Sequence, residues 1–382
     1  MPVCVKIVAA IVAQRISSAF EEEHFLVDSQ AGFRTDQECV GQVGALLEII
    51  QRWTKKQRKS KRRGDIEELL RAYVCFIDFK KAYDMVPHEA MLYKLRVYGI
   101  VGKTYEFIRT LYANSKMKVR VEDVYSPSVP LERGLRQGCP LSPILFSIFI
   151  NDILRKPTIQ RREWEPKVES LMFADDIVVF ANSGERLQEL LDEITEWSDR
   201  WEMKIGHAKC GVMLFGQDIC DADKNRKWFV QGGEISVVDK YTYLGLQITP
   251  ELDERGMEVG RLELGRMVLG RLQKFLSDYH IPATIRVKVL ESIVQSTCVY
   301  GAEVWGGGQK DCSKVQAILN EGMRYITQGK ATNATSVSVM QLELDLCPVY
   351  PVIAKKRMRV GWKGHKMSVT LGDLIESRTC WH

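Results

Sequence analysis

Apolar residues recur at helical spacing over residues 3–20, where Val5, Val8, Val12 and Ile16 fall near one face. Residues 40–53 form a second helical stretch, and 65–71 can restart a helix. The run YVCFIDF, 73–79, is β-rich and of strand length. A helix is expected from the Pro87 region, because proline suits a first helical turn. Glycine and proline are dense over 134–143, which must be a loop or turn. From Ser142 the pattern SPILFSIFINDIL reads as a helix buried nearly all round. Residues 171–181, LMFADDIVVFA, read as two short strands joined through Asp175 and Asp176, since aspartate favours turns over strand interiors. Leu187, Leu190, Leu191, Ile194, Trp197 and Trp201 then mark an amphipathic helix whose stripe is core packing. YTYLGLQI, 241–248, is strand-like, and from about 255 the chain is helical, with glycine-rich breaks at 306–308 and 329. The shift near 250 divides the chain into 1–250 and 251–382.

A length of 382 residues fits two domains at roughly 150 residues each. The balance, 45% apolar and 27% charged, excludes disorder, collagen and coiled coil. Uncharged apolar runs fall short of the roughly 20 residues that span a bilayer, so no membrane association is expected. The apolar start, MPVCVKIVAAIVAQ, reads as a buried helix and not as a signal peptide. Net charge is +5, yet residues 52–63 alone hold eight Arg or Lys and no acid, leaving −3 for the remainder. That run is a solvated loop, a phosphate contact or a nuclear import signal. Ten cysteines without CxxC or zinc-ligand spacing fit free thiols in a reducing compartment. An intracellular, nuclear location is expected.

Three acids sit where acids are costly. Asp78 follows the apolar run VCFI, and Asp175 and Asp176 lie between LMFA and IVVFA. Desolvated carboxylates side by side repel unless a cation neutralises them. Mg²⁺ or Mn²⁺ is the natural partner, since a hard cation takes carboxylate and phosphate oxygens. Two such ions can activate an attacking hydroxyl and stabilise a leaving pyrophosphate. No Ser-His-Asp arrangement, nucleophile elbow, Walker A loop or HExxH is present, and the six histidines form no cluster. Spacing alone leaves open a two-metal phosphoryl-transfer site, a calcium site or a structural cluster.

Six blocks follow one another in order: SQAGFR (29–34), FIDFKKAYDMVPH (76–88), GLRQGCPLSPILF (134–146), LMFADDIVVFA (171–181), MKIGHAKCGVM (203–213) and YTYLGLQI (241–248). Together they resemble the reverse transcriptases of non-LTR (LINE-type) retrotransposons, over about residues 5–365. The resemblance implies an α+β right hand, with fingers and palm built on an antiparallel sheet, followed by a helical thumb and C-terminal region. It implies an RNA-directed DNA polymerase that works with RNA template, DNA primer, dNTPs and two Mg²⁺ (or Mn²⁺) ions. Asp78, Asp175 and Asp176 correspond to the metal-binding palm aspartates. Lys209 corresponds to the lysine that protonates the leaving pyrophosphate, although GHAKCG departs from the common Asn-Pro-x-Lys-Thr. Arg34 corresponds to a triphosphate ligand, its planar fork suiting phosphate oxygens. Phe79 is placed with the nucleotide pocket. Tyr83 corresponds to the aromatic that excludes a ribose 2′-OH, and Gln137 and Gly138 to the loop against the nascent base pair. Tyr243, Leu244 and Gly245 resemble the primer-grip turn. CVYGAEVW (298–305) and WKGH (362–365) resemble later blocks, the second imperfectly.

The upstream endonuclease region of many members, a CCHC knuckle and an RNase H acid set are not seen, which reads as a shortened element copy. A non-catalytic RNA-binding module, or an inert truncated remnant, is the alternative to an active polymerase. An RNA-templated RNA polymerase is a third, and Tyr83 distinguishes it.

Overall fold

Ala72–Ile77 form strand β1, buried at every position. This continuous apolar run is central in a four-stranded antiparallel sheet with Ser170–Phe173 (β2), Asp176–Ala181 (β3) and Gly211–Phe215 (β4), in the order β2-β3-β1-β4. A strand covered on both faces has no need of alternating polarity. In this computed structural model the described residues are 1–54, 71–113, 115–154, 169–216, 219, 221–252, 254–306, 309–328 and 336–364. The basic residues of 55–63, the helix expected over 65–70, the glycines at 307, 308 and 329 and the last residue of the 362–365 block lie outside them.

The described residues form two compact units, 1–239 and 240–364. In the first, helices α1 (Val3–Glu22), α2 (Cys39–Thr54), α3 (His88–Val97), α4 (Gly102–Ala113), α5 (Ser142–Ile150) and α6 (Gly184–Arg200) surround the sheet. Strand parity sorts the side chains. Tyr73, Cys75 and Ile77 join the core formed with α3, α5 and α6. Phe180 of β3 faces α2, its ring 5.7 Å from Trp53. Helix α6 starts where Ser183 accepts a hydrogen bond from the Arg186 N–H; its stripe is buried from Leu187 to Trp197, and Trp201, just past its end, is half-buried.

Helix α1 is buried on one face only. Ala9, Ala13, Ile16 and Phe20 pack inward, whereas Val3, Ile7, Val8 and Ile11 are exposed. The reading of this segment as a buried helix therefore holds for half its surface. Of the described helices it is the one long and apolar enough to cross a membrane.

The second unit begins with the hairpin Tyr241–Tyr243 (β5) and Leu246–Ile248 (β6). The strand-like run 241–248 is thus broken in two, because Leu244 and Gly245 both adopt positive φ, at 44° and 78°. This is the two-residue turn whose twist suits a hairpin. Helices α7 (Glu254–Ser277) and α8 (Gln309–Thr327) pack together, and Gly265 lets the Cys298 thiol approach where a Cβ would stand 2.2 Å away. Two buried carboxylates are paired: Glu258 with Lys314 at 2.7 Å and Glu303 with Lys356 at 2.9 Å.

One buried cation knits the first unit. Lys94 of α3 is 2% exposed. Its amine donates to the Phe149 carbonyl and the Asp152 carboxylate and stands over the rings of Phe149, Trp197 and Trp201. Burial lowers its pKa to about 8, against the opposing pull of Asp152. A lysine whose folded pKa lies below its unfolded value costs stability while protonated, and that cost fades as pH rises from 8 towards the model-peptide value near 10.4. Wild-type melting temperature, corrected for the general alkaline trend with Lys94→Met as reference, should therefore rise over this window. Lys94→Met keeps the stem and should be neutral or stabilising at pH 7, whereas Lys94→Ala should lose about 2–4 kcal/mol in chemical denaturation.

Candidate active site

The β1–β3 register builds the site. Ile77 pairs with Ile177 in an antiparallel ladder, so one further step sets Asp78 across from Asp176. Asp176 is the first residue of β3, and Phe173 pairs with it across the β2–β3 hairpin. The two-residue turn is therefore Ala174–Asp175, with Ala174 at φ +57°. Sequence reading had both aspartates in the turn; the structure puts Asp175 there and Asp176 on the strand. The register thus sets three aspartate residues at one rim of an apolar sheet.

Their electrostatics show the crowding. Burial raises the Asp175 pKa, the Asp78 charge adds to it, and Lys209 opposes it. Asp176 is pushed to about 6, chiefly by the protein packed around its carboxyl and then by Asp175 and Asp78, although the residue stays open to solvent on one side. The Lys209 amine lies 3.7 Å from Asp78 Oδ2. As they stand, no three acid, histidine or cysteine side chains among the described residues converge closely enough to hold a metal ion. The expected three-carboxylate convergence is therefore present as electrostatic proximity and not as a formed cage. The donor set nevertheless fits a hard divalent cation: hard oxygen ligands, two of them with elevated pKa.

Segment 203–210 embraces Asp78. Gly206 donates its N–H to the Asp78 carbonyl at 2.7 Å, and Cys210 Sγ accepts the Asp78 N–H at 3.4 Å. Phe79 bridges Ile205, and the Lys80 N–H reaches the Lys204 carbonyl at 2.8 Å. A Cβ on Gly206 would stand 2.8 Å from Asp78 Oδ2, so only glycine admits the carboxylate here.

Tyr83 follows on the short helix Ala82–Met85. Its ring stacks on Phe146 at 4.5 Å and meets Phe33 edge-on at 6.5 Å. Burial, then the Asp175 charge, raises its pKa, and its shielded hydroxyl has no hydrogen-bond partner among the described residues. The glycine-rich loop is tied to the same helix, Leu135 N–H to the Tyr83 carbonyl at 2.8 Å and Gly134 N–H to the Val86 carbonyl at 2.9 Å. Gln137 donates to Asp84 at 3.3 Å, and Gly138, at φ +74°, has open space where a Cβ would be. Tyr83, Gln137 and Gly138 thus share one neighbourhood, and Tyr83 senses Asp175.

Two expected ligands are placed otherwise. Phe79 is buried against Trp197, 6.3 Å between rings, because neighbours on extended backbone point to opposite faces and Asp78 takes the rim. Arg34 is held by Glu21 through two bonds of 2.8 and 2.6 Å, and by the carbonyls of Val27 and Gln30. It braces a loop to α1 in place of facing the carboxylates. Tyr243, Leu244 and Gly245 belong to the second unit. Tyr243 is buried, Tyr300 donates to the Leu244 carbonyl at 2.8 Å, and Arg261 donates to the Gly245 carbonyl while stacking 4.3 Å from the Tyr300 ring. Gln30, Gly32, Gly206 and Cys210 emerge as organising residues that motif reading missed. All four lie inside quoted blocks, and the available signal was a buried-type glycine or amide beside a catalytic run.

The sequence profile of the family described as "Reverse transcriptase (RNA-dependent DNA polymerase)" matches residues 1–248. The RNA-directed DNA polymerase from the mobile element jockey of Drosophila funebris is 25% identical over 261 residues, covering 66% of this chain and 28% of that protein. The Pol polyprotein of the type-2 element R2DM of Drosophila melanogaster is 26% identical over 255 residues, covering 65% and 23%. The probable RNA-directed DNA polymerase from transposon BS of the same species is 25% identical over 327 residues, covering 83% and 34%. The chain thus spans a quarter to a third of the length of these curated relatives. Among solved structures, apo telomerase from Candida tropicalis aligns with a TM-score of 0.44 at 13% identity, over 96% of this chain and 59% of that one. With a profile match over well more than half its length, the chain belongs to the reverse transcriptase family, and its relatives are the polymerases of non-LTR retrotransposons.

Proposed function

We propose that this chain is an RNA-directed DNA polymerase of the LINE type, acting on an RNA template, a DNA primer and dNTPs. The observation that carries the reading is the juxtaposition of Asp78 with the Asp175 turn and Asp176 on the strand after it, at the rim of the sheet. Asp78, Asp175 and Asp176 would hold two Mg²⁺ or Mn²⁺ ions, which supply charge neutralisation, activation of the primer 3′-OH and stabilisation of the leaving pyrophosphate. Joining the primer 3′-oxygen to the α-phosphate releases pyrophosphate. Lys209, beside Asp78, is placed to give that group a proton. The Tyr83 ring, which stacks on Phe146 and meets Phe33 edge-on, would stand against a ribose 2′-OH and select deoxyribose by shape. Gln137 and Gly138 would lie against the nascent pair, where the space beside Gly138 is open. The Leu244–Gly245 turn serves as primer grip. Arg34 braces the fingers loop.

Purified protein with Mg²⁺ or Mn²⁺ should extend a DNA primer on an RNA template, and Asp175→Ala should lower the rate by several orders of magnitude without loss of the thermal transition. Extension that survives Asp175→Ala would remove the carboxylate assignment, and binding without extension by the wild type would favour the non-catalytic alternative. Tyr83→Ala should raise ribonucleotide incorporation relative to deoxynucleotide in a competition gel. An unchanged ratio would place sugar selection elsewhere.

A further inference from the structure

Gln30 is completely buried, and nothing in its local backbone explains why an amide belongs there. Its Oε1 accepts two N–H groups, Gly32 at 2.8 Å and Ala174 at 3.1 Å. Its Nε2 donates to the Ala174 carbonyl at 3.5 Å. One side chain thus grips both backbone polar groups of Ala174, the residue before Asp175. The main chain on either side reinforces the grip: Ala31 N–H donates to the Met172 carbonyl and Met172 N–H to the Ser29 carbonyl, each at 2.8 Å. These backbone bonds stop at Met172, so beyond it only Gln30 reaches the turn from this loop.

The turn needs such a hold. Ala174 at φ +57° occupies the left-handed region, which disfavours any residue with a Cβ. Glycine would adopt it without strain but would also leave the two peptide planes free to rotate. Gly32 completes the fit, because a Cβ there would lie 2.2 Å from the Ala174 nitrogen. The loop is anchored in turn, Arg34 holding it to Glu21, and Asn151 accepting from the Val27 N–H at 2.8 Å and donating to the Phe25 carbonyl at 2.8 Å.

We propose that Gln30 is a positioning residue for the polymerase site: its amide fixes both peptide planes of Ala174 and so sets the directions of the Asp175 and Asp176 carboxylates. This rests on the polymerase reading for its functional meaning and on geometry alone for the clamp. Gln30→Met removes both kinds of hydrogen bond at similar volume. Gln30→Glu keeps the two accepting bonds and loses the donating one.

Amide hydrogen exchange and single-nucleotide kinetics test it together. In Gln30→Met, exchange at residues 173–176 should quicken by about tenfold or more, while β1 and β4 stay protected as in the wild type. The value of kcat should fall by a similar factor, with template–primer Kd changed by less than about twofold. Gln30→Glu should sit between the two on both readouts. Unchanged exchange at the turn in Gln30→Met, or acceleration spread evenly over the sheet, overturns the proposal. If Gln30→Met does not fold, Gln30→Glu decides: turn exchange faster than wild type supports the clamp, and equal exchange overturns it. A wild type that extends no primer removes the polymerase reading, and the exchange comparison still decides whether Gln30 holds the turn.

Discussion

The antiparallel pairing of β1 with β3 is the constraint on which the site depends. Ile77 facing Ile177 brings Asp78 and Asp176 to one level at one end of the sheet. A slip of one residue would turn every side chain of a strand to the other face, taking a carboxylate into the core and an isoleucine to the rim. The cost of burying that carboxylate opposes the slip, since β1 is covered throughout and its neighbours nearly so. Apolar burial, at roughly 1.5–3 kcal/mol per large side chain, therefore holds together groups that repel one another. The raised pKa values of Asp175 and Asp176 are the local sign of that opposition.

Much of this was legible in the sequence because the signals were local. Acids embedded in apolar runs gave the strand ends, the Gly-Pro cluster gave the loop, and the leucine–tryptophan stripe gave α6. What was not legible depended on distant partners. Arg34 has the right chemistry for a triphosphate, but Glu21, thirteen residues earlier and across a turn, takes it. Gln30 meets Ala174 across 144 residues, a contact that no periodicity encodes. Phe79 is different: strand parity was available and already implied that Asp78 and Phe79 face opposite ways. The 241–248 run misled for a local reason, since Leu-Gly is a weaker turn signal than Asn-Gly. The helix at the N-terminus misled because period alone does not say which face finds a partner.

The surroundings of Asp78 and of Asp175 are built by different means, and the difference matters for chemistry. Asp78 is held by backbone and thiol contacts from 204–210, a segment that also carries Lys209. Asp175 sits on a strained two-residue turn that leans on a side chain from another part of the chain. The first anchorage acts on the backbone of Asp78 itself, the second on the residue before Asp175. Both contacts on Asp78 reach its backbone, the Gly206 N–H at the carbonyl and the Cys210 thiol at the N–H.

The ring of Tyr83 is supported from two sides. Tyr83 is immobilised by a stacked ring on one side and an edge-on ring on the other. Its hydroxyl, which has no hydrogen-bond partner among the described residues, contributes nothing visible to holding it. A ring fixed by two aromatic contacts presents a hard wall, and a wall discriminates by exclusion more sharply than a flexible side chain of equal size. Phe33 supplies one of those contacts from a left-handed backbone position, φ +63°, three residues after Gln30. The loop that carries Gln30 against Ala174 therefore also carries a ring that meets Tyr83.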